Sequence, residues 1–76
     1  MASKPAQLIE FVTKALVDHP EDVAVRESEG GRLLELDTHV DDRGRVIGRQ
    51  GRVAKAMRAL LGVSRDGADC RLDIVD

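Results

Sequence analysis

Asp42-Arg43-Gly44-Arg45-Val46-Ile47-Gly48-Arg49-Gln50-Gly51-Arg52-Val53-Ala54-Lys55-Ala56-Met57-Arg58 is the stretch on which the reading of this chain turns. Its centre, Gly48-Arg49-Gln50-Gly51, divides a helical pattern into a short piece before it and a longer one after it. Two glycines remove Cβ atoms, permit unusual φ/ψ and let a second backbone lie close. The helix that starts after them offers unpaired N–H groups and a positive dipole end to an anion. Arg49 and Gln50 point outward from such a loop, where a guanidinium can grip a phosphate in bidentate fashion. Val46 and Ile47 anchor the loop and, with Val40 and Val53, are placed to line an apolar groove for bases.

Charge singles out the same segment. The chain has 76 residues and a net charge of −2, which by itself argues against a polyanion partner. Residues 43 to 65 nevertheless hold Arg43, Arg45, Arg49, Arg52, Lys55, Arg58 and Arg65 and no acidic residue. All 14 carboxylates lie elsewhere, among the other five basic residues. Such polarity steers polyanions to one face. A helix face stabilised for its own sake would interleave signs to gain i,i+4 pairs, and a run of one sign forgoes that gain.

Around this segment the elements read in order. Leu8, Ile9, Phe11, Val12, Ala15 and Leu16 recur at helical spacing, so residues 4 to 18 are expected to form an amphipathic helix. Ser3 is its N-cap, Pro5 is tolerated in the first turn, and Asp18-His19-Pro20 ends it. Val23 to Glu27 and Arg32 to Val40 are two strands joined by a two-residue Gly30-Gly31 turn. The return strand puts Leu34, Leu36, Thr38 and Val40 on a buried face and Glu35, Asp37 and His39 on a wet one. A short helical turn follows, capped by Asp42, then the glycine loop. A second helix over 52 to 62 buries Val53, Met57, Leu60 and Leu61. Cys70, Leu72 and Ile74 then alternate with Arg71, Asp73 and Val75 as a last strand. The order α-β-β-α-α-β, without repeats or linkers, predicts one α+β domain over residues 1–76, a three-stranded sheet with helices on one face.

An isolated G-x-x-G is more often a plain helix–helix turn, but here the short turn before it, the helix after it, the basic surround and the element order all agree. The run from Asp42 to Arg58 resembles the signature of KH domains, most of all the small bacterial KhpA/YlqC-type members, and the similarity extends over essentially the whole chain. That resemblance implies a type II KH fold and a non-catalytic, single-stranded-RNA-binding function. In KH modules the loop clamps about four nucleotides. Carried over, Gly48, Arg49, Gln50 and Gly51 would hold the RNA backbone, with Arg45, Arg52 and Lys55 beside them and Ile47 flooring the base groove. Family members more often carry Lys at the position of Arg49, a change that keeps the charge. The resemblance further implies an RNA chaperone or regulator that acts as a homodimer or with a larger KhpB-type KH partner. Such complexes are linked to RNA regulation and to cell-envelope and cell-size control.

Other function classes fit less well. With no Trp or Tyr and Phe11 as the sole aromatic, the chain lacks the rings on which RRM and cold-shock surfaces stack bases. Helix-turn-helix DNA binding is disfavoured, because the first helix is short and the second exposes few residues suited to reading base edges. A protein-interaction or dimerisation module, its G-x-x-G only a turn, is the main alternative, since so short a chain buries only about 60% of its unfolded surface. Phosphate-loop and dinucleotide spacings are absent, and no nucleophile–base set is found, so no enzyme and no cofactor are expected. His19 and His39 read as surface residues, the pair Asp41-Asp42 as a cap rather than a metal site, and Cys70 as a small buried hydrophobe. One cysteine excludes an internal disulfide and argues against a Cys-based zinc site. No apolar run approaches the roughly 20 residues of a membrane span. Met1 to Pro5 carry no secretory signal, so no membrane association and a cytoplasmic location are expected.

Overall fold

The computed structural model describes residues 2–75; Met1 and Asp76 lie outside the described residues. Its elements are α1 (Lys4–Leu16), β1 (Ala24–Ser28), β2 (Leu33–Asp37), α2 (Arg43–Ile47), α3 (Arg52–Val63) and β3 (Arg71–Ile74). β2 is the central strand, antiparallel to β1 and parallel to β3. A parallel neighbour needs a crossover, and α2, the glycine loop and α3 supply it. The fold is the expected α+β order with helices over one face of a three-stranded sheet.

Pleat alternation explains that one-sidedness. Leu34 and Leu36 of β2 and Leu72 of β3 are buried on one face, Leu34 opposite Leu72 and Leu36 opposite Ile74. Between them Glu35 and Asp73 point the other way, and Arg26 of β1 reaches Glu35 directly opposite at 3.9 Å on the wet face. Above the apolar face sit Ala6 and Ile9 of α1, Val46 of α2, and Met57 and Leu61 of α3, completing the core with Val23. Thr13, buried in α1, donates its hydroxyl to the Met57 sulfur at 3.8 Å and so finds a partner where α1 meets α3.

Several expectations shift by a turn of chain. Ser3 caps α1, its hydroxyl accepting from the Ala6 N–H at 3.3 Å. The helix nevertheless ends at Leu16 rather than at 18, because the Asp18 and His19 amides are taken elsewhere. It packs through Pro5, Ala6, Ile9 and Thr13, which leaves Phe11 75% exposed on its far side. The Gly30-Gly31 connection is longer than a two-residue turn. The ladder closes at Ser28–Leu33, and Glu29, Gly30 and Gly31 all take positive φ in a turn closed by Arg32 N–H to Glu29 C=O. Val40 is not on the buried face, because β2 ends at Asp37 and a turn over Val40–Asp42 carries it into solvent at 63% exposure. Leu60 is 42% exposed, since α3 packs on the Ala54–Met57–Leu61 stripe and Leu60 lies a residue off it. Cys70 is half-buried rather than buried; its thiol donates to the Gly31 carbonyl at 3.4 Å, and burial pushes its pKa up.

Asp42 departs furthest from expectation. It does not cap α2. Its carboxylate, 2% exposed, accepts the Asp18 N–H at 3.2 Å, the His19 N–H at 3.0 Å and the His19 ring N–H (Nδ1) at 3.1 Å. A buried carboxylate without partners would be costly, and three donors answer that cost. Burial alone would raise the Asp42 pKa, but these hydrogen bonds outweigh it and the net shift is downward. The same bond raises the pKa of His19 above its usual 6.5, against the opposing pull of desolvation.

Linkage fixes the sign of the consequence. The raised His19 contributes stability that is complete below pH 6.5 and lost as pH climbs through its folded-state value. The lowered Asp42 contributes stability present above its usual 3.8 and lost as acid protonates it. Thermal melts across pH are therefore expected to decline on the alkaline side with a midpoint above 6.5, and this limb should vanish in His19→Gln. Superimposable pH profiles for the two proteins would contradict the assignment.

Candidate nucleic-acid interface

The loop between α2 and α3 is shaped by what cannot stand in it. Gly48 has φ 79° and ψ 167°, and its N–H closes α2 onto the Gly44 carbonyl at 2.8 Å. A Cβ at Gly48 would fall 2.6 Å from Val53 Cγ2 and 2.8 Å from the Val53 backbone nitrogen. Such contacts cannot be relieved by swinging a side-chain tip, because one partner is main chain. Gly48 is thus the point where the end of α2 touches the first turn of α3. Gly51, at φ 73°, differs: a Cβ there meets nothing within 4 Å, so only the left-handed backbone favours glycine. Its N–H donates back to the Gly48 carbonyl at 3.0 Å.

Between the glycines, Gln50 holds φ 57° and ψ 25°, a left-handed conformation rare for a residue with a Cβ. Backbone strain of this kind costs on the order of 1–3 kcal/mol and persists only where the surroundings impose it. Here the two glycine turns leave Gln50 no other path. Its side-chain oxygen accepts from Arg52 Nη2 at 3.3 Å. Arg49 and Gln50 are exposed, Ile47 is half-buried beside buried Val46, and Val53 is half-buried behind Gly48. The apolar floor consists of Ile47, Val46 and Val53; Val40, expected to join it, stands out in solvent.

The seven basic residues of the 43–65 run do not act alike. Arg45 reaches back to α1, pairing with Asp18 at 3.0 Å and donating to the Leu16 carbonyl at 3.4 Å. Both partners of that ion pair are exposed, so it is weak and can open. Arg58 donates through Nε and Nη2 to the Leu72 carbonyl, at 3.2 and 3.1 Å, which ties α3 to β3. Arg43 has a buried Nε with no hydrogen-bond partner among the described residues. Arg65 lies past the C-terminal end of α3, away from the loop. Arg49, Arg52 and Lys55 remain at the loop, and among the described residues none of them is paired with a carboxylate. All three are exposed at the start of α3. That helix has no side-chain cap and no acidic residue in its first turn. Its dipole end is therefore reinforced by fixed cations rather than answered by an acid. Chemically, this arrangement offers three unpaired cations and an uncapped helix start beside an apolar edge.

Two substitutions separate the glycines. Gly48→Ala should destabilise the fold by about 3 kcal/mol or more, because strain and overpacking add. Gly51→Ala should cost only about 1 kcal/mol, the left-handed penalty alone. Chemical denaturation of both variants checks the difference; equal costs would contradict the close approach at Gly48.

With this geometry in view, comparison with known proteins is direct. The family model described as "KhpA/KhpB, KH domain" matches residues 6–74. The protein named RNA-binding protein KhpA from Halalkalibacterium halodurans is 48% identical over 73 residues, covering 91% of this chain and 96% of the relative. Its namesake from Leifsonia xyli subsp. xyli is 47% identical, covering 93% of this chain and 96% of the relative. A third protein of that name, from Treponema pallidum, is 40% identical with both chains covered throughout. No solved structure matches significantly. The chain belongs to the KhpA/KhpB family of KH domains.

Proposed function

We propose that the whole chain acts as one KH domain, a non-catalytic binder of single-stranded RNA that clamps the RNA backbone with Gly48-Arg49-Gln50-Gly51. Arg49, Arg52 and Lys55 supply the charge around an uncapped helix start, and Ile47 with Val53 forms the apolar edge on which bases lie. The observation that carries this reading is that these three cations stand free of carboxylates, among the described residues, at the start of α3. The relatives' common name, RNA-binding protein, supports the choice of RNA over other polyanions. Arg45 plays a secondary part, since RNA must first compete with Asp18 for it. One short site without aromatic rings implies modest affinity and low sequence selectivity.

A second reading concerns assembly. α3 leaves Ala56, Leu60 and Val63 exposed at i, i+4 and i+7, with Val63 at 84%. This apolar stripe, on a chain with so small a core, favours pairing with a second copy of the same chain. Pairing would double the RNA sites and raise avidity where geometry lets both engage. By family resemblance we extend the role to RNA chaperoning or regulation in the cytoplasm, alone or with a KhpB-type partner, bearing on cell-envelope and cell-size control. No helix of the described residues is long and apolar enough to cross a membrane.

Fluorescence anisotropy with a labelled single-stranded RNA tests the first reading. Replacing both Arg49 and Gln50 by Asp should weaken binding at least about tenfold while circular dichroism stays unchanged, and wild-type affinity should fall with salt. Arg45→Ala should cost less than Arg49→Ala. Undiminished binding by the double variant would remove the loop from the mechanism. For assembly, sedimentation should give a dimer for the wild type and a monomer for Leu60→Asp. A wild-type monomer at micromolar concentration would exclude self-pairing and leave a larger KH partner to be tested by mixing.

A further inference from the structure

Away from the glycine loop, the two histidines of the chain meet. His19 lies in the link after α1, and His39 lies between β2 and the turn that leads into α2. Their rings stack with centroids 4.0 Å apart and planes 14° from parallel. Asp41 joins them: one donor atom from each of His19, His39 and Asp41 can be chosen so that no two are more than 4.8 Å apart. We propose that His19, His39 and Asp41 form a binding site for a divalent transition ion of the zinc class.

The argument rests on how the donors are held. Asp42, buried beneath the cluster, accepts both the backbone N–H and the ring N–H (Nδ1) of His19. That bond fixes the tautomer and leaves Nε2 with the free lone pair. A carboxylate behind a histidine is the outer-shell arrangement that orients imidazole ligands and raises their basicity. His39 Nδ1 accepts the Asp41 N–H at 3.0 Å, so it too carries a lone pair, and it lies 3.6 Å from Asp41 Oδ2. Two ligands on a tetrahedral zinc ion are separated by roughly 3.3 Å, given metal–ligand bonds of about 2.0–2.1 Å. The His39–Asp41 pair is therefore near its bound spacing, with the ion replacing the amide proton at Nδ1. Imidazole lone pairs lie in the ring plane, so the His19 ring must turn out of its near-parallel stack on His39 to bring Nε2 to the ion, a movement its partial exposure permits. Two imidazoles and one carboxylate suit zinc, nickel or copper and offer little to magnesium, which prefers an octahedral oxygen shell. Three protein ligands leave a fourth position for water. The ion would staple the segment entering α2 to the link leaving α1.

Untagged protein titrated with Zn2+ in a calorimeter tests this. One ion per chain is expected, with a higher melting temperature in Zn2+ and no change in Mg2+. His39→Gln and Asp41→Asn should each weaken binding at least about tenfold, the usual scale of a lost ligand or its support. Because only two histidines exist, the proton spectrum reports on them directly, and both sets of ring signals should move in Zn2+ even if a variant folds poorly. No heat with unmoved ring signals, unchanged binding in both variants, or one ion per two chains would each overturn the proposal.

Discussion

The turn from α2 into α3 exists because nothing stands between Gly48 and Val53. With the Gly48 Cα so close to the Val53 backbone, any larger residue would push the two helices apart. Everything at the site follows from that contact. It sets the start of α3 against the end of α2 and forces Gln50 into a left-handed turn. It also leaves Arg49 and Gln50 outside, where no core packing claims them. α2 and α3 form the crossover between parallel strands β2 and β3, so the same contact also conditions the sheet.

Electrostatics then separates structural charge from available charge. An arginine that ties two elements together is spent on the fold. Arg58, forked onto the Leu72 carbonyl, holds α3 to β3, and Arg45 leans on the end of α1. Arg49, Arg52 and Lys55 have no such duty, and they cluster where the helix dipole already favours an anion. A chain of net negative charge can thus present one cationic face, because the field at a surface depends on local arrangement rather than on the total.

Much of this was legible in the sequence, for reasons of range. Period-2 alternation at Leu34, Leu36 and Leu72 and the Ser3 cap are local signals, and they correctly placed the strands and the start of α1. The glycine loop was legible too, since its spacing and its flanking helices are adjacent in the chain. What escaped depends on contacts between distant segments. Asp42 looked like a cap because an acid before a short helix usually is one; its true partners lie 23 and 24 residues away. The stacking of His19 on His39 has no local signature, and nothing in a basic run tells Arg58 from Arg52. Val40 and Leu60 were misplaced by extending a pattern one step past where the backbone turns or the packing stripe ends.

Mapping a short single-stranded RNA onto the isotope-labelled chain by amide chemical shifts tests the central claim most directly. Perturbations should centre on Gly48 to Gly51 and spread to Ile47, Arg52, Val53 and Lys55, leaving the outer sheet face around Arg26 and Glu35 unmoved. Shifts confined to that sheet face, or spread evenly over every exposed cation including Lys4 and Arg71, would contradict the account.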